Sequence, residues 1–334
     1  MNRTTSPTVD TLAPEAVDVE DIAWRVLRAH LRSTGALAPD EAAVNVHTWI
    51  PAGARKVRRR MFIQVDVHGV PVGVAKVPLS EHDPKLAFEF DVLRRLAPGF
   101  PLAHPQPLER VGAGFCMTHL AGLDLPAVPG LASGPQEFWR VLRPVVDTVA
   151  ALHLAQDEAG TAMSPEQAAA QYVRRPLFGV EHADRALRRA RLGPTHGDLG
   201  PWNVRYDPEH AAVRILDFED YRPVGVTGMD VLNLLVTCAL VVFPDYRERG
   251  FDWLYEQVFN GDHWFPAALA TGIRHYAAAT GQSAAAVCDL TPLMCQWLIE
   301  RITAEGRDTT GMFYRTFADR YLSSRPTWVG SLDD

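Results

Sequence analysis

The nine residues HGDLGPWNV occupy positions 196–204, and the triplet DFE follows at positions 217–219. Two strand-like runs lie between these motifs and flank an Asp-Pro turn, so the pattern predicts a β-hairpin. Asn203 stands at one end of the hairpin and Asp217 at the other, and we expect their side chains at the same edge. Each residue alone is typical of an ordinary turn. The joint spacing indicates a functional loop.

The spacing H-x-D-x-x-x-x-N followed by D-F is typical of loops that support phosphoryl transfer. This reaction needs a carboxylate at the attacking hydroxyl and oxygen ligands for Mg²⁺ beside a triphosphate. Asp198 is therefore the candidate catalytic base, and it would act largely by orienting the hydroxyl. Asn203 and Asp217 are the candidate ligands of Mg²⁺, because this hard cation prefers oxygen.

The segment resembles the aminoglycoside phosphotransferase and choline kinase-like family, whose members carry H-G-D, a following Asn and an I-D-F-E element. The resemblance spans roughly residues 45–310. It implies a two-lobed, protein-kinase-like α+β fold, with an antiparallel sheet plus one helix in a small N-lobe and a larger, mainly helical C-lobe. It also implies that ATP and Mg²⁺ are the cofactors. Asp230 fits a further family Asp at the start of the next helix, whereas Gly200-Pro201-Trp202 departs from the commoner filling of the loop.

Lys76 lies in an apolar strand that reads VGVAKV, similar to the kinase strand whose lysine contacts the α and β phosphates. The chain contains only three lysines, so a lysine at this place favours nucleotide binding over a solvent-facing position. Its ion-pair partner is expected on the next helix. Glu89 is the first candidate because it stands alone amid apolar residues, and Glu81 and Asp91 are the alternatives.

Met117 and His119 belong to the predicted hinge, whose backbone groups meet the adenine edge in the family. The loop 51–60 holds one glycine and a basic run, which is compatible with triphosphate contact and equally with a solvated loop. His153 and His196 are interpreted as supports of the catalytic loop. Asp230 is expected to cap its helix or to bond that loop.

The composition is that of a globular protein: 334 residues, 47% hydrophobic and 22% charged, with a net charge of −7. No basic field is present to attract nucleic acid or anionic membrane, so neither is an expected partner. The four cysteines form no C-x-x-C pair and indicate buried thiols in a reducing, cytoplasmic location. Residues 1–20 lack the pattern of a signal peptide, and the sequence has no P-loop, zincin or hydrolase motif.

The predicted organisation is a disordered tail (1–20), a nucleotide-binding N-lobe (21–121) and a C-lobe with the catalytic loop and the acceptor site (122–334). In the C-lobe the hairpin is expected to be the only strand material. The predicted C-lobe helices cover residues 136–156, 165–175, 181–192, 229–242, 244–259, 265–279, 284–305 and 309–322.

Few residues separate Asp217 from Asp230, which leaves no room for the long segment on which a protein kinase places its peptide. A small hydroxylated acceptor is therefore favoured, first an aminoglycoside-like or other sugar-containing antibiotic or metabolite. A kinase of Ser/Thr in a biosynthetic peptide and a nucleotide-binding pseudokinase remain alternatives. Aromatic and acidic residues of the last helices form either an acceptor wall or helix core and solvated faces: Trp253, Trp264, Trp297, Tyr314, Asp252, Asp262, Glu300, Glu305 and Asp308.

Overall fold

The computed structural model describes residues 14–35, 44–51, 59–79, 83–96, 100–157, 164–172 and 180–334. The chain divides into two compact units. Unit 1 comprises Met1–Phe100, His104–Ala121 and Leu216–Glu219, and unit 2 comprises Pro101–Ala103, Gly122–Ile215 and Asp220–Asp334. Relative to the predicted lobes, the units exchange two short segments, 101–103 and 216–219.

Unit 1 is an antiparallel sheet with two helices. Its elements are α1 (Pro14–Ser33), β1 (Val44–Trp49), β2 (Arg60–Val67), β3 (Val70–Pro78), α2 (Pro84–Leu96), β4 (Pro107–Val111) and β5 (Gly114–Thr118). The strand order is β1-β2-β3-β5-β4. The strands form because β-branched and apolar residues alternate between two faces, and the β2–β3 connection turns at His68, which has a φ of 52°.

The two faces of the sheet take one helix each. Leu27 of α1 packs with Ile63, Ala75 and other buried residues in the main core of this unit. Lys76 and its cross-strand partner Phe115 point to the opposite face, where Phe115 packs 5.5 Å from Phe90 of α2, centroid to centroid. This alternation directs Lys76 at α2.

Helix α1 begins at Pro14, inside the tail that was predicted over residues 1–20. The predicted tail is therefore too long at its C-terminal end, and its first thirteen residues lie outside the described residues. Proline at the first helical position is favourable, because that position has no intrahelical acceptor for an N–H.

Unit 2 is mainly helical and carries two small sheets. Its elements are β6 (Leu123–Asp124), α3 (Pro135–Leu154), α4 (Pro165–Ala170), α5 (Val180–Arg189), β7 (Leu192–Thr195), β8 (Val204–Asp207), β9 (Ala212–Ile215), β10 (Arg222–Val226), α6 (Gly228–Val242), α7 (Tyr246–Arg249), α8 (Phe251–Phe259), α9 (Trp264–Thr280), α10 (Ala284–Cys288), α11 (Thr291–Ala304) and α12 (Tyr314–Ser323). The hairpin β8–β9 forms with Val204 opposite Ile215, and β7 pairs with β10.

Three predictions for this unit are wrong in detail. The hairpin is not its only strand material, because β6 adds a third strand to it and β7 and β10 form a second sheet. The helix predicted over 244–259 is broken at Gly250, which has a φ of 85°, and the helix predicted over 284–305 is interrupted after Cys288. Among the described residues no helix has the length and apolar character needed to cross a membrane.

Candidate active site

The predicted site residues form two groups, one in each compact unit. In unit 1, Lys76 Nζ donates hydrogen bonds to both carboxylate oxygens of Glu89, at 3.0 and 2.8 Å, and to Asp217 Oδ1 at 2.6 Å. Glu89, the first of the proposed partners, is therefore the acid of α2 that meets the lysine. Three residues from distant parts of the sequence thus share one cluster.

The electrostatics of this cluster follow from its burial. Burial lowers the pKa of Lys76, but Asp217 and Glu89 outweigh it and raise the pKa above its ordinary value. Burial raises the pKa of Glu89 to about 7, and the charge of Lys76 opposes that shift. Lys76 is therefore a fixed positive charge at neutral pH, as a phosphate contact requires.

The segment that carries Asp217 has a strained backbone and is held by hydrogen bonds to neighbouring residues. Asp217 has a φ of 66°, a conformation that is uncommon outside glycine and clusters at functional sites. Two residues later Glu219 accepts a hydrogen bond from Arg60 at 2.5 Å, and Arg60 also bonds Asp83 at 2.8 Å. Asp83 in turn accepts from the Lys85 backbone N–H at the start of α2. One network therefore ties the DFE segment to the helix of Glu89.

The donor atoms of this cluster suit a hard divalent cation. Oxygen atoms of Glu89, Asp217 and Glu219 all lie within 4.8 Å of one another. Carboxylate oxygens are the ligands that Mg²⁺ prefers, so the chemistry of the donor set fits the predicted metal. Of the two predicted ligands, Asp217 belongs to this group and Asn203 belongs to unit 2.

The predicted hinge residues lie at the C-terminal end of β5, with Met117 inside the strand and His119 directly after it. Met117 pairs with Val74 of β3 and is buried. The backbone N–H of His119 donates to the carbonyl oxygen of Val72 at 3.1 Å, so this donor already serves the sheet. Adenine contact by backbone groups of Met117 and His119 stays a prediction.

Residues 196–203 of unit 2 form the loop predicted to be catalytic, which we call the catalytic loop, and it is bent at Gly197, which has a φ of 83°. A Cβ atom added there would lie 2.2 Å from the carbonyl oxygen of Asp220, so only glycine fits between His196 and Asp198. The backbone N–H groups of His196 and Gly197 donate to the carboxylate of Asp230 at 2.6 and 3.0 Å. Asp230 thus fixes the backbone of the turn by accepting both of these hydrogen bonds.

Asp230 is itself held by a buried histidine. His153 Nε2 lies 3.1 Å from Asp230 Oδ2, and His153 Nδ1 lies 2.6 Å from the hydroxyl of Tyr276. Burial would raise the pKa of Asp230, but the hydrogen bonds and charges of His153 and His196 lower it below its ordinary value. Of the two expected roles of Asp230, the side chain bonds the catalytic loop, and His153 supports it there.

The candidate base and the candidate ligand are joined through the backbone. Asn203 Nδ2 donates to the carbonyl oxygen of Asp198 at 2.9 Å, which fixes the orientation of the amide group. The backbone N–H of Asp198 lies 3.3 Å from His196 Nδ1. Hydrogen bonds within the loop therefore link Asp198 to both His196 and Asn203.

Sequence reasoning missed several residues that bind this loop. Asn233 Nδ2 donates to the carbonyl of Leu199 at 3.0 Å, and Trp297 Nε1 donates to the carbonyl of Gly197 at 3.1 Å. Arg301 Nη1 donates to Asp198 Oδ2 at 2.8 Å and to Asp220 Oδ2 at 2.7 Å. Asn233 follows Asp230 by one helical turn, which was a usable signal. No sequence signal pointed to Arg301, which lies 103 residues from Asp198.

Comparisons with known proteins support the fold. No family model matches the sequence, and no curated protein matches it. Among solved structures, a macrolide 2′-phosphotransferase type I matches with a TM-score of 0.55 at 17% identity, over 93% of this chain and 98% of that one. A choline kinase from Cryptosporidium parvum Iowa II matches with a TM-score of 0.55 at 13% identity, over 93% of this chain and 96% of that one.

A third match is the apoenzyme of macrolide 2′-phosphotransferase MphH from Brachybacterium faecium, with a TM-score of 0.50 at 18% identity, over 88% of this chain and 96% of that one. The chain therefore has the protein-kinase-like α+β fold of these proteins. The predicted resemblance to the aminoglycoside phosphotransferase and choline kinase-like family is confirmed at the level of the fold.

Proposed function

We propose that this chain is an ATP-dependent O-phosphotransferase that moves the γ-phosphate of ATP to a hydroxyl of a small molecule. The observation that carries the proposal is the hydrogen bonding of Lys76 to both Glu89 and Asp217, because it joins two motifs that lie 141 residues apart in the sequence. In protein kinases, phosphoryl transfer requires a strand lysine paired with a helix acid, together with the Asp of the D-F element.

Each residue has a defined task in the proposed reaction. Mg-ATP, when bound, supplies the phosphoryl group. Lys76 would neutralise phosphate charge, and Asp217 and Asn203 are the residues predicted to offer oxygen ligands to the cation. Asp198 accepts a hydrogen bond from the acceptor hydroxyl, orients it and takes up its proton late in the transfer. Most of the acceleration then comes from position and charge, since little covalent chemistry falls to the protein.

The proposed acceptor class is an aminoglycoside-like or other sugar-containing antibiotic or metabolite. The chain passes from Asp217 to Asp230 through one short helical turn and β10, without the long segment that a peptide substrate needs. The fold also occurs in proteins named for macrolides and for choline. Several residues considered for an acceptor wall serve the interior instead: Trp297 bonds the catalytic loop, Trp264 packs on Phe138, and Tyr314 is buried.

The test is a screen for ADP formation with purified protein, Mg-ATP or Mg-GTP, and panels of aminoglycosides, macrolides, free sugars and amino alcohols. A peptide panel with Ser and Thr residues is run beside them. We expect acceptor-dependent ADP formation and a phosphate ester by mass spectrometry in one of the small-molecule panels. Faster turnover of a peptide than of any small molecule refutes the acceptor class. Nucleotide binding without transfer to any acceptor supports a pseudokinase.

A further inference from the structure

One face of α11 is hydrogen-bonded to the catalytic loop through two residues, Trp297 and Arg301. Trp297 and Arg301 are one helical turn apart and therefore point the same way. Trp297 Nε1 donates to the carbonyl of Gly197 at 3.1 Å, and Arg301 Nη1 donates to the side chain of Asp198 at 2.8 Å. The indole holds the backbone of the loop, whereas the guanidinium holds the side chain of the candidate base.

Arg301 is a buried charge between two acids. Its side chain is 8% exposed, and its Nη1 also donates to Asp220 Oδ2 at 2.7 Å. Burial would lower the pKa of Arg301, but Asp198 and Asp220 outweigh it and raise the pKa above its ordinary value. The guanidinium therefore remains charged, and it offsets the repulsion between two carboxylates that meet at one nitrogen.

The two acids that Arg301 bonds differ in burial and therefore in the role that we assign to them. The side chain of Asp220 is 9% exposed and that of Asp198 is 19% exposed, so Asp220 is the deeper partner. The bond from Arg301 holds Oδ2 of Asp198 and thereby fixes the rotation of that carboxylate. Rotation of the carboxylate sets the direction in which Oδ1 points. A base that acts by orienting a hydroxyl depends on such fixation, because a shift of about 1 Å costs roughly 10²-fold in rate.

We propose that Arg301 is a positioning residue of the phosphotransfer reaction, which orients the carboxylate of Asp198 and is itself anchored by Asp220. This inference rests on the proposed function. An ion pair that only joined α11 to the loop would affect folding and leave the turnover of the folded protein unchanged. A positioning residue lowers kcat in a protein that is folded and binds nucleotide normally.

The experiment compares R301M and R301K with wild type, using the acceptor identified by the ADP-formation screen. Arg320 of α12 supplies a control, because its guanidinium also bridges two acids, Asp252 and Glu256, which both lie on α8. Steady-state rates are measured with acceptor and Mg-ATP both varied. Urea unfolding and calorimetric binding of ADP establish that each variant is folded and binds nucleotide.

We expect R301M to lower kcat by roughly 10- to 100-fold, with the KM for ATP within about twofold of wild type. R301K retains the positive charge and should recover part of the loss, while R320M should match wild type. D220N, which weakens the anchor and leaves the Arg301–Asp198 bond, should cause a smaller loss in kcat. If R301M does not fold, R301K and D220N decide the question by the same readout.

Wild-type kcat in folded R301M overturns the inference and leaves the proposed function standing. The inference is likewise overturned if R301M, R301K and R320M all lose activity only in proportion to lost folded protein. If the wild-type protein transfers phosphate to no acceptor, the proposed function fails and the inference fails with it. The two failures are therefore distinguishable by the wild-type control.

Discussion

Replacement of Asp230 by Asn tests how the catalytic loop is held. The carboxylate accepts hydrogen bonds from the backbone N–H groups of His196 and Gly197, at 2.6 and 3.0 Å, and from His153 at 3.1 Å. Asparagine has one oxygen in place of two, so its NH₂ group must face at least one of these donors. In the least disruptive orientation of the amide, only the Gly197 N–H is left without an acceptor at the buried side chain of residue 230. The remaining hydrogen bonds are then made to a neutral group and no longer to a charged one.

The magnitude follows from those bonds. A hydrogen bond to a charged group contributes roughly 1.5–3 kcal/mol, and a buried donor without a partner costs roughly 1–3 kcal/mol. We therefore expect D230N to lower the free energy of unfolding by about 3 kcal/mol at pH 7, measured by urea denaturation. The control is D252N, whose side chain is 75% exposed and should change stability by less than about 0.5 kcal/mol.

The destabilisation caused by D230N should also depend on pH. The pKa of Asp230 is lowered in the folded protein, so its contribution is fully present above the unfolded pKa of about 3.9 and is lost as the pH falls through the folded value. The difference between wild type and D230N should stay constant from about pH 7 to pH 5 and shrink below about pH 4. A destabilisation under about 1 kcal/mol at pH 7, or one that grows on acidification, would refute this account of the loop.

Three further substitutions test the site. Asp198→Asn should preserve ADP binding by calorimetry but lower transfer by roughly 10²- to 10⁴-fold, and wild-type turnover would remove Asp198 from the role of base. Asp217→Ala should weaken Mg-ATP binding, because an oxygen ligand is lost beside the triphosphate, and an unchanged affinity by calorimetry would contradict the metal assignment. Gly197→Ala should abolish turnover and shift the urea midpoint downward, because its Cβ would lie 2.2 Å from the Asp220 carbonyl oxygen; a normal midpoint would show that the loop can relax.

The sequence predicted those parts of the fold that depend on local patterns. The hairpin β8–β9 follows from two strand-like runs around an Asp-Pro turn. The helix predicted over 244–259 corresponds to two helices, α7 and α8, which are separated at Gly250. Strands β7 and β10 are not predicted from the sequence, because LGPT and RPVGV contain Gly and Pro, which are unfavourable inside strands.

In the candidate site, too, the sequence predicts the contacts that follow from local patterns and misses the others. The pairing of Lys76 with Glu89 is predictable from sequence, because the strand contains one lysine and Glu89 stands alone amid the apolar residues of the next helix. The contacts of Arg301 and Trp297 with the loop cannot be predicted from sequence, because the sequence of α11 does not indicate which turn of the helix faces which loop. Contacts of this kind depend on how the helices of unit 2 pack, and packing is not encoded in any short spacing.

The polar residues around the catalytic loop are difficult to explain by stability alone. Burying the charges of Asp230 and Arg301 costs desolvation energy, and well-packed apolar residues of the same volume often stabilise a protein equally or better. An apolar contact, however, lacks the directional preference of a hydrogen bond and would not specify the orientation of a backbone N–H or of a carboxylate. The loop contains a glycine with a positive φ, which gives its backbone conformational freedom that must be removed. Directional bonds from α6 and α11 remove it, and they do so at the residues that flank and include Asp198.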